Sequence, residues 1–417
     1  MNSDPLKTIA QEARAAGMLL AGLSTQIKNR ALAGMAKHLI KNQAVILEAN
    51  AKDIRAAKAK GMKLGLINRL ALDEYKISRI ADSLVLISKL PDPVGRVISK
   101  TTRPNGLQIN KIGVPIGVIL IIYESRPNVT SDCMALCLKS GNSVILKGGS
   151  ETLHSNAALF KILQTAAMEQ GVPQGAFQLV ATPGRGAVRK LLDLSPWIDL
   201  VIPRGGEGLI RAVTRVSKIP VIKHAKGICH VFLDASADFE KSMAITLNAK
   251  TQNPSVCNAM ETLLVHEKVA KRYLPKICLA LEDKGVELRG DEAAQKIVPG
   301  IKRAAEKDWA SEYLDLILSI RVVKDLKEAV QHIQKYGSQH SDAIVTENDK
   351  AAGEFTRSVD SACVFVNCST RFSDGGEFGM GAEMGISTGK LHARGPMGLE
   401  ELTSYKYVVL GNGQVRK

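Results

Sequence analysis

Aromatic residues are scarce, at 4% of 417 positions, which leaves few platforms for stacking single-stranded bases. Positive charge is not scarce, since the formal net charge is +15. Yet Lys and Arg are scattered, without a long basic run or a basic tail, which disfavours a nucleic-acid binder and suits small polyanionic ligands. No stretch approaches the ~18 uninterrupted apolar residues of a membrane span, so none is expected. Met1 to Gly17 mixes Asp4, Glu12 and Arg14 into a helical pattern and lacks the apolar core of a secretory signal. The seven cysteines are odd in number and contain no C-x-x-C, so no disulfide framework is expected and the compartment reads as reducing and cytoplasmic. The P-loop pattern G-x-x-x-x-G-K-[ST] is missing, and so is G-x-G-x-x-G at the glycine-rich turns where a dinucleotide fingerprint would sit.

What is present reads as an α/β protein of two or three domains, because a chain this long exceeds one compact core. Pro5 to Lys89 is helical in pattern, with Leu19, Leu20, Leu23 and Ile27, then Ile77, Ile80, Leu84 and Ile87, at helical spacing up to Pro91-Asp92-Pro93. Val97–Thr101 and Leu107–Ile112 flank Arg103-Pro104-Asn105-Gly106, a hairpin signal. Strand and helix then alternate: strands are expected at 117–123, 143–146, 177–180 and 198–202, with Val221-Ile222 opening a further one. A second cycle from Gly227 carries strands at 229–233, 261–265, 343–345 and 363–367, a glycine-rich loop at 375–389 and a lone strand at 403–410. Buried strands joined by crossover helices predict parallel, doubly wound sheets.

Two strand-to-helix turns suit phosphate: Lys147-Gly148-Gly149-Ser150-Glu151, and Pro203-Arg204-Gly205-Gly206-Glu207-Gly208. Each presents unpaired backbone N–H groups at a helix start, with Lys147 or Arg204 adding a cation. The same glycines would also let helices pack closely on the sheet. Cys257, in Thr251-Gln252-Asn253-Pro254-Ser255-Val256-Cys257-Asn258, stands in a Pro-constrained loop entering a strand, where backbone amides can favour a thiolate. The other cysteines read as packing: Cys133 and Cys137 on one apolar helix face, Cys278 in a helix, and Cys229, Cys363 and Cys368 in or beside strands. His224, Cys229 and His230 match no common zinc spacing and read as structural, so no metal site is expected.

At these motifs the sequence resembles the γ-glutamyl phosphate reductases, a branch of the aldehyde dehydrogenase superfamily. The resembling stretches run in the family's order and include Tyr123–Thr130 (YESRPNVT), Ile145–Glu151, Ile202–Leu209, Asn248–His266 (NAKTQNPSVCNAMETLLVH), Val366–Glu383 and Lys390–Tyr407. The resemblance implies an NADPH-binding domain of residues 1–96 and 110–226, and a catalytic domain of residues 227–402 that returns to the cofactor domain near its end. It implies further a small β oligomerisation unit of residues 97–109 and 403–417, whose hairpin and strand join across subunits of a homo-oligomer. It implies NADPH as cofactor, with Lys147, Gly148, Ser150, Arg204, Gly205 and Gly206 on the dinucleotide and Glu312 on the nicotinamide ribose. It implies Cys257 as nucleophile toward γ-glutamyl phosphate, in proline biosynthesis, and allows functional coupling to a glutamate kinase. Arg126, Asn128, Arg371, His392 and Arg394 are the expected receptors of the anionic substrate. Two departures are informative. The glutamate that activates water in hydrolytic aldehyde dehydrogenases is absent from Lys223-His224-Ala225-Lys226-Gly227, which fits an enzyme that must spare its thioester. Their oxyanion-hole asparagine has no plain match at Ser125-Arg126-Pro127-Asn128, leaving the Cys257 N–H as one donor. Asn253 stands where many relatives carry Arg.

Overall fold

A computed structural model describes residues 4–182, 184–223 and 226–416. The chain divides into two compact units, one of residues 1–223, 379–385 and 397–417, the other of residues 224–378 and 386–396. No helix among the described residues is long and apolar enough to cross a membrane.

The first unit opens with helices Pro5–Leu20, Thr25–Lys41, Gln43–Ala59, Leu64–Leu70 and Glu74–Lys89. Asp4, Ser24 and Asp73 cap three of them, each side chain accepting a backbone N–H of the first turn. Its sheet is parallel throughout, with Val118–Tyr123 and Ser143–Gly148 central, Phe177–Leu179 outside the latter and Leu200–Arg204 outside the former. All six side chains of Val118–Tyr123 are buried, as a strand covered on both faces requires. Val118, Leu120 and Ile122 pack with Leu6, Ala10 and Ala13 of the first helix and with Leu191, Ile198 and Val213. The sheet therefore ends its strands at Tyr123, Gly148 and Arg204, and the glycine-rich turns follow two of those ends.

Val97–Thr102 and Gln108–Pro115 form the hairpin, turning at Gly106 with φ +86°. Thr403–Leu410 was expected to pair across subunits. It instead lies antiparallel against Gln108–Pro115 of its own chain, all eight residues in register, completing a three-stranded sheet. The hairpin edge supplies the nearest ladder, and a tail strand can reach it without a partner. Val221 makes only an isolated bridge to Val201, because the ladder does not continue past it.

The second unit holds a seven-stranded parallel sheet, ordered Lys302–Arg303, Glu287–Gly290, Ile317–Val323, Met260–His266, Cys229–Leu233, Ser341–Val345, Cys363–Val366. Met260–His266 and Cys229–Leu233 are buried at every residue and sit at its centre. Leu263, Val265, Val231 and Leu233 pack against Ala270, Leu274 and Ile277 of the helix Glu267–Glu282. The strands at 287–290, 302–303 and 317–323 were not foreseen. The first is short and buried only at alternate residues, the second is two exposed residues, and Ser319 and Arg321 interrupt the apolar run of the third.

Candidate functional site

Cys257 sits in the loop between the helix Phe239–Thr251 and the central strand Met260–His266. It is half-buried, as is Cys368, while Cys133, Cys137, Cys229, Cys278 and Cys363 are buried. Burial pushes the thiols of Cys133, Cys137 and Cys229 well up, Cys278 up to about 12 and Cys368 up as well. These five are poorly suited to act as thiolates.

Three segments converge on Cys257. Beneath it, Cys229 Sγ lies 3.2 Å from the Cys257 carbonyl oxygen. Gly227 presses against the same peptide: a Cβ there would stand 1.9 Å from the Cys257 oxygen. Only glycine admits that approach. The Gly227 N–H donates to Glu312 Oε1 at 2.8 Å, so the carboxylate expected on the nicotinamide ribose is brought to the backbone beside Cys257. On the third side, Asn258 binds the segment Thr370–Ser373. Asn258 Nδ2 donates to the carbonyls of Arg371 (3.3 Å) and Ser373 (2.9 Å), and Thr370 Oγ1 donates to the Asn258 carbonyl at 2.7 Å. Arg371 donates from Nε to Gln252 Oε1 at 2.8 Å and from Nη1 to Asn258 Oδ1. Burial lowers the Arg371 pKa, and Asp374, Cys257 and Cys229 pull it back up, Asp374 most strongly.

Of the five expected substrate residues, Arg371 is tied to the loop that carries Cys257. Arg394 is engaged elsewhere, donating to Asp360 Oδ1 and to the Asp360 carbonyl, both at 2.7 Å. Lys390 joins the same carboxylate, and with Arg394 holds it below the usual carboxylate range. His392 is exposed in a left-handed conformation, φ +69°. Arg126 is half-buried before the helix Asn128–Lys139, and Asn128 Nδ2 donates to Asp132 Oδ2 at 3.0 Å; both belong to the first unit.

The glycine-rich turns of the first unit have the geometry of an anion cradle. Lys147, Gly148 and Ser150 line one small cavity of about 20 Å³ with Asn156, Leu179 and Val180. Lys147 is buried, donates to the Gly148 carbonyl at 2.9 Å and has its pKa lowered by that burial. Glu124 Oε2 accepts the Gly206 N–H at 3.0 Å, at the start of the helix Glu207–Val216, so an anionic oxygen already stands at that amide. A Cβ on Gly205 would fall 2.3 Å from the same oxygen. Arg204 faces Glu383 at 3.9 Å, and Gly385 leaves the room its guanidinium fills. Lys147 and Arg204, the cations at these strand ends, suit a phosphate-bearing nucleotide, for which Glu124 must vacate the Gly206 amide.

His224, one of the weighed metal ligands and part of the stretch that lacks the hydrolytic glutamate, lies outside the described residues, as does Ala225. His230 Nδ1 stands 2.8 Å from Asp342 Oδ1, both fully buried, as a packed core pair. Among the described residues, no group of three His, Cys, Asp or Glu could hold a metal ion. Sequence reasoning missed Gln252 and Asn258, although both flank Cys257, and the buried pair Lys250–Glu261, 2.6 Å apart. Their spacing around Cys257 was the available signal.

Residues 7–311 match the aldehyde dehydrogenase family. The chain is 55% identical over 412 residues to the γ-glutamyl phosphate reductase of Moorella thermoacetica, covering 99% of each. The crystal structure of γ-glutamyl phosphate reductase from Thermotoga maritima superposes with a TM-score of 0.96 at 47% identity, over 99% of this chain and 100% of that one. An acetylating aldehyde dehydrogenase from Geobacillus thermoglucosidasius shares the fold, with a TM-score of 0.74 at 20% identity. The chain belongs to the aldehyde dehydrogenase family, and within it to the γ-glutamyl phosphate reductases.

Proposed function

We propose that this protein reduces γ-glutamyl phosphate to glutamate γ-semialdehyde and phosphate through a thioester on Cys257, using NADPH, as a step of proline biosynthesis. The coarser statement stands on family membership alone: it is an oxidoreductase of a small molecule that uses a nicotinamide cofactor. The observation that carries the finer reading is Cys257, half-buried in a loop on which three segments converge, within a sequence 55% identical to a γ-glutamyl phosphate reductase.

The Cys257 thiolate attacks the acyl carbon, the C–O bond to phosphate breaks, and phosphate leaves with the electron pair. Splitting the reduction this way replaces one hard step by two easier ones. The Cys257 N–H is an oxyanion donor, and Gly227 keeps that backbone close-packed and fixed. When bound, NADPH supplies the hydride that reduces the thioester. Lys147, Gly148, Ser150, Gly205 and Gly206 are assigned to hold the dinucleotide in the first unit, Arg204 to its phosphates, and Glu312 in the second unit to the nicotinamide ribose. Arg371 is assigned to an anionic group of the substrate, and Arg126, Asn128, His392 and Arg394 to the remaining contacts. Arg394 would first have to leave Asp360. The protein is assigned to the cytoplasm as a homo-oligomer, functionally coupled to a glutamate kinase. Because Thr403–Leu410 is satisfied on one edge within its own chain, the assembly is assigned to the remaining free edges of that three-stranded sheet.

The test is the reaction in reverse. Purified protein with glutamate γ-semialdehyde, NADP⁺ and phosphate should produce NADPH absorbance, and replacing NADP⁺ by NAD⁺ should slow it. No reduction of either nucleotide under these conditions would overturn the reading.

A further inference from the structure

Arg371 reaches across the nucleophile loop to both sides of Cys257. Its Nε donates to Gln252 before the cysteine and its Nη1 to Asn258 after it. Asn258 is buried and spends its amide and its carbonyl on the Thr370–Ser373 segment, so the arginine's backbone and its head are fixed by the same residue. A guanidinium held at two points loses little freedom on meeting an anion, and its remaining N–H groups stay available as donors. We propose that Arg371, spanned between Gln252 and Asn258, is a cation that stabilises the Cys257 thiolate before any substrate arrives, with Gln252 and Asn258 as positioning residues.

The step is a loss of one proton. Only the Cys257 S–H bond breaks, and the proton passes to water. Other charged and titratable groups stand around this loop. Cys229 beneath it is held protonated by burial, and His340 Nδ1 stands 3.8 Å from the Cys229 sulfur. Glu312, on the Gly227 side, is an anion that opposes a second one, as are Asp374 and Glu377 beyond Arg371. Lys250, on the helix leading into the loop, is committed to Glu261. Arg371 is coupled electrostatically to a Cys257 thiolate. This role rests on the reading of Cys257 as nucleophile. It adds to the anchoring of substrate a function exerted on the enzyme itself.

The experiment is the pH dependence of Cys257 alkylation by iodoacetamide in substrate-free protein, read by mass spectrometry of the peptide that carries it. Arg371→Met should raise the alkylation midpoint by about one pH unit, roughly tenfold less thiolate below it. Arg371→Lys should restore most of that shift, since the charge remains. Gln252→Leu, which keeps the arginine and removes one of its two holds, should raise the midpoint by a smaller amount. Added salt should raise the wild-type midpoint and leave that of Arg371→Met unmoved. An unchanged midpoint in Arg371→Met that retains its circular dichroism overturns the proposal. Should Arg371→Met fail to fold, an unchanged midpoint in Gln252→Leu overturns it instead. Alkylation needs neither substrate nor cofactor, so a wrong substrate assignment would leave this result intact, and a working reductase with an unmoved midpoint would sink only the arginine's role.

Discussion

Gly227 and the Cys257 peptide approach so closely that no side chain fits between them, and the Gly227 N–H is taken by Glu312. The Cys257 backbone is thus fixed by packing and hydrogen bonding, while its side chain stays half exposed. Cys257→Ser should therefore abolish reduction yet leave thermal unfolding and nucleotide affinity near wild type. A neutral hydroxyl is a far weaker nucleophile than a thiolate. Turnover at a comparable rate would remove the covalent mechanism. A few residues away, Lys250 and Glu261 are buried completely and meet at 2.6 Å. Burial pushes the Glu261 carboxyl up to about 7 and the Lys250 ammonium down, each against the pull of its partner. Removing one partner strands the other, so Lys250→Met or Glu261→Leu alone should cost about 3–5 kcal/mol. The double replacement should cost much less than the sum, and denaturant unfolding of all three variants measures the difference. Cys257 was legible as a residue because a Pro-bearing loop leading into a strand is a local signal. The Arg371–Asn258 contact was not, since it joins positions 113 residues apart.

Strands long enough to be buried on both faces announced themselves. Val118–Tyr123 is a continuous apolar run and Cys229–Leu233 is one apart from His230, and a chain segment of that kind has few places to go except a parallel sheet. The Asn105-Gly106 turn was equally readable. What local pattern cannot carry is the choice of partner. Thr403–Leu410 looks like a strand on β-branched and aromatic content, but nothing within it says that its ladder is with Gln108–Pro115 of the same chain. Deleting residues 403–417 removes that strand and opens an eight-residue edge on the hairpin. An open edge of unpaired N–H and C=O groups pairs with whatever is near. Light scattering of the truncated protein should show a changed assembly, a monomer or an aggregate. An unchanged, well-behaved oligomer would mean the three-stranded sheet takes no part in association.

At the scale of the molecule, the chain was expected to change domains at Gly227, and its compact units part between residues 223 and 224. A return to the first unit near the end of the chain was expected from the family resemblance alone, because a glycine-rich stretch by itself reads only as loop; residues 379–385 and 397–417 belong to that unit. Chemistry constrains the whole more than pattern does. An enzyme that makes its thioester from an acyl phosphate must keep water from destroying it, yet one carboxylate, Glu312, does come to the backbone packed against Cys257. Its Oε1 is taken by the Gly227 N–H, which holds the carboxylate in place as a fixed acceptor and suits a ribose hydroxyl better than a mobile water. With semialdehyde and NADP⁺ but no phosphate, the acyl-enzyme should therefore accumulate after about one turnover and persist. General-base assistance is typically worth about a hundredfold to ten-thousandfold, and that is the size of the rise expected when phosphate is added. Glu312→Gln separates the two roles. If Glu312 grips the ribose, the variant binds nucleotide more weakly and stays phosphate-dependent. If wild type instead turns over rapidly without phosphate and Glu312→Gln stops it, Glu312 is the water-activating base and the hydrolytic mechanism takes precedence.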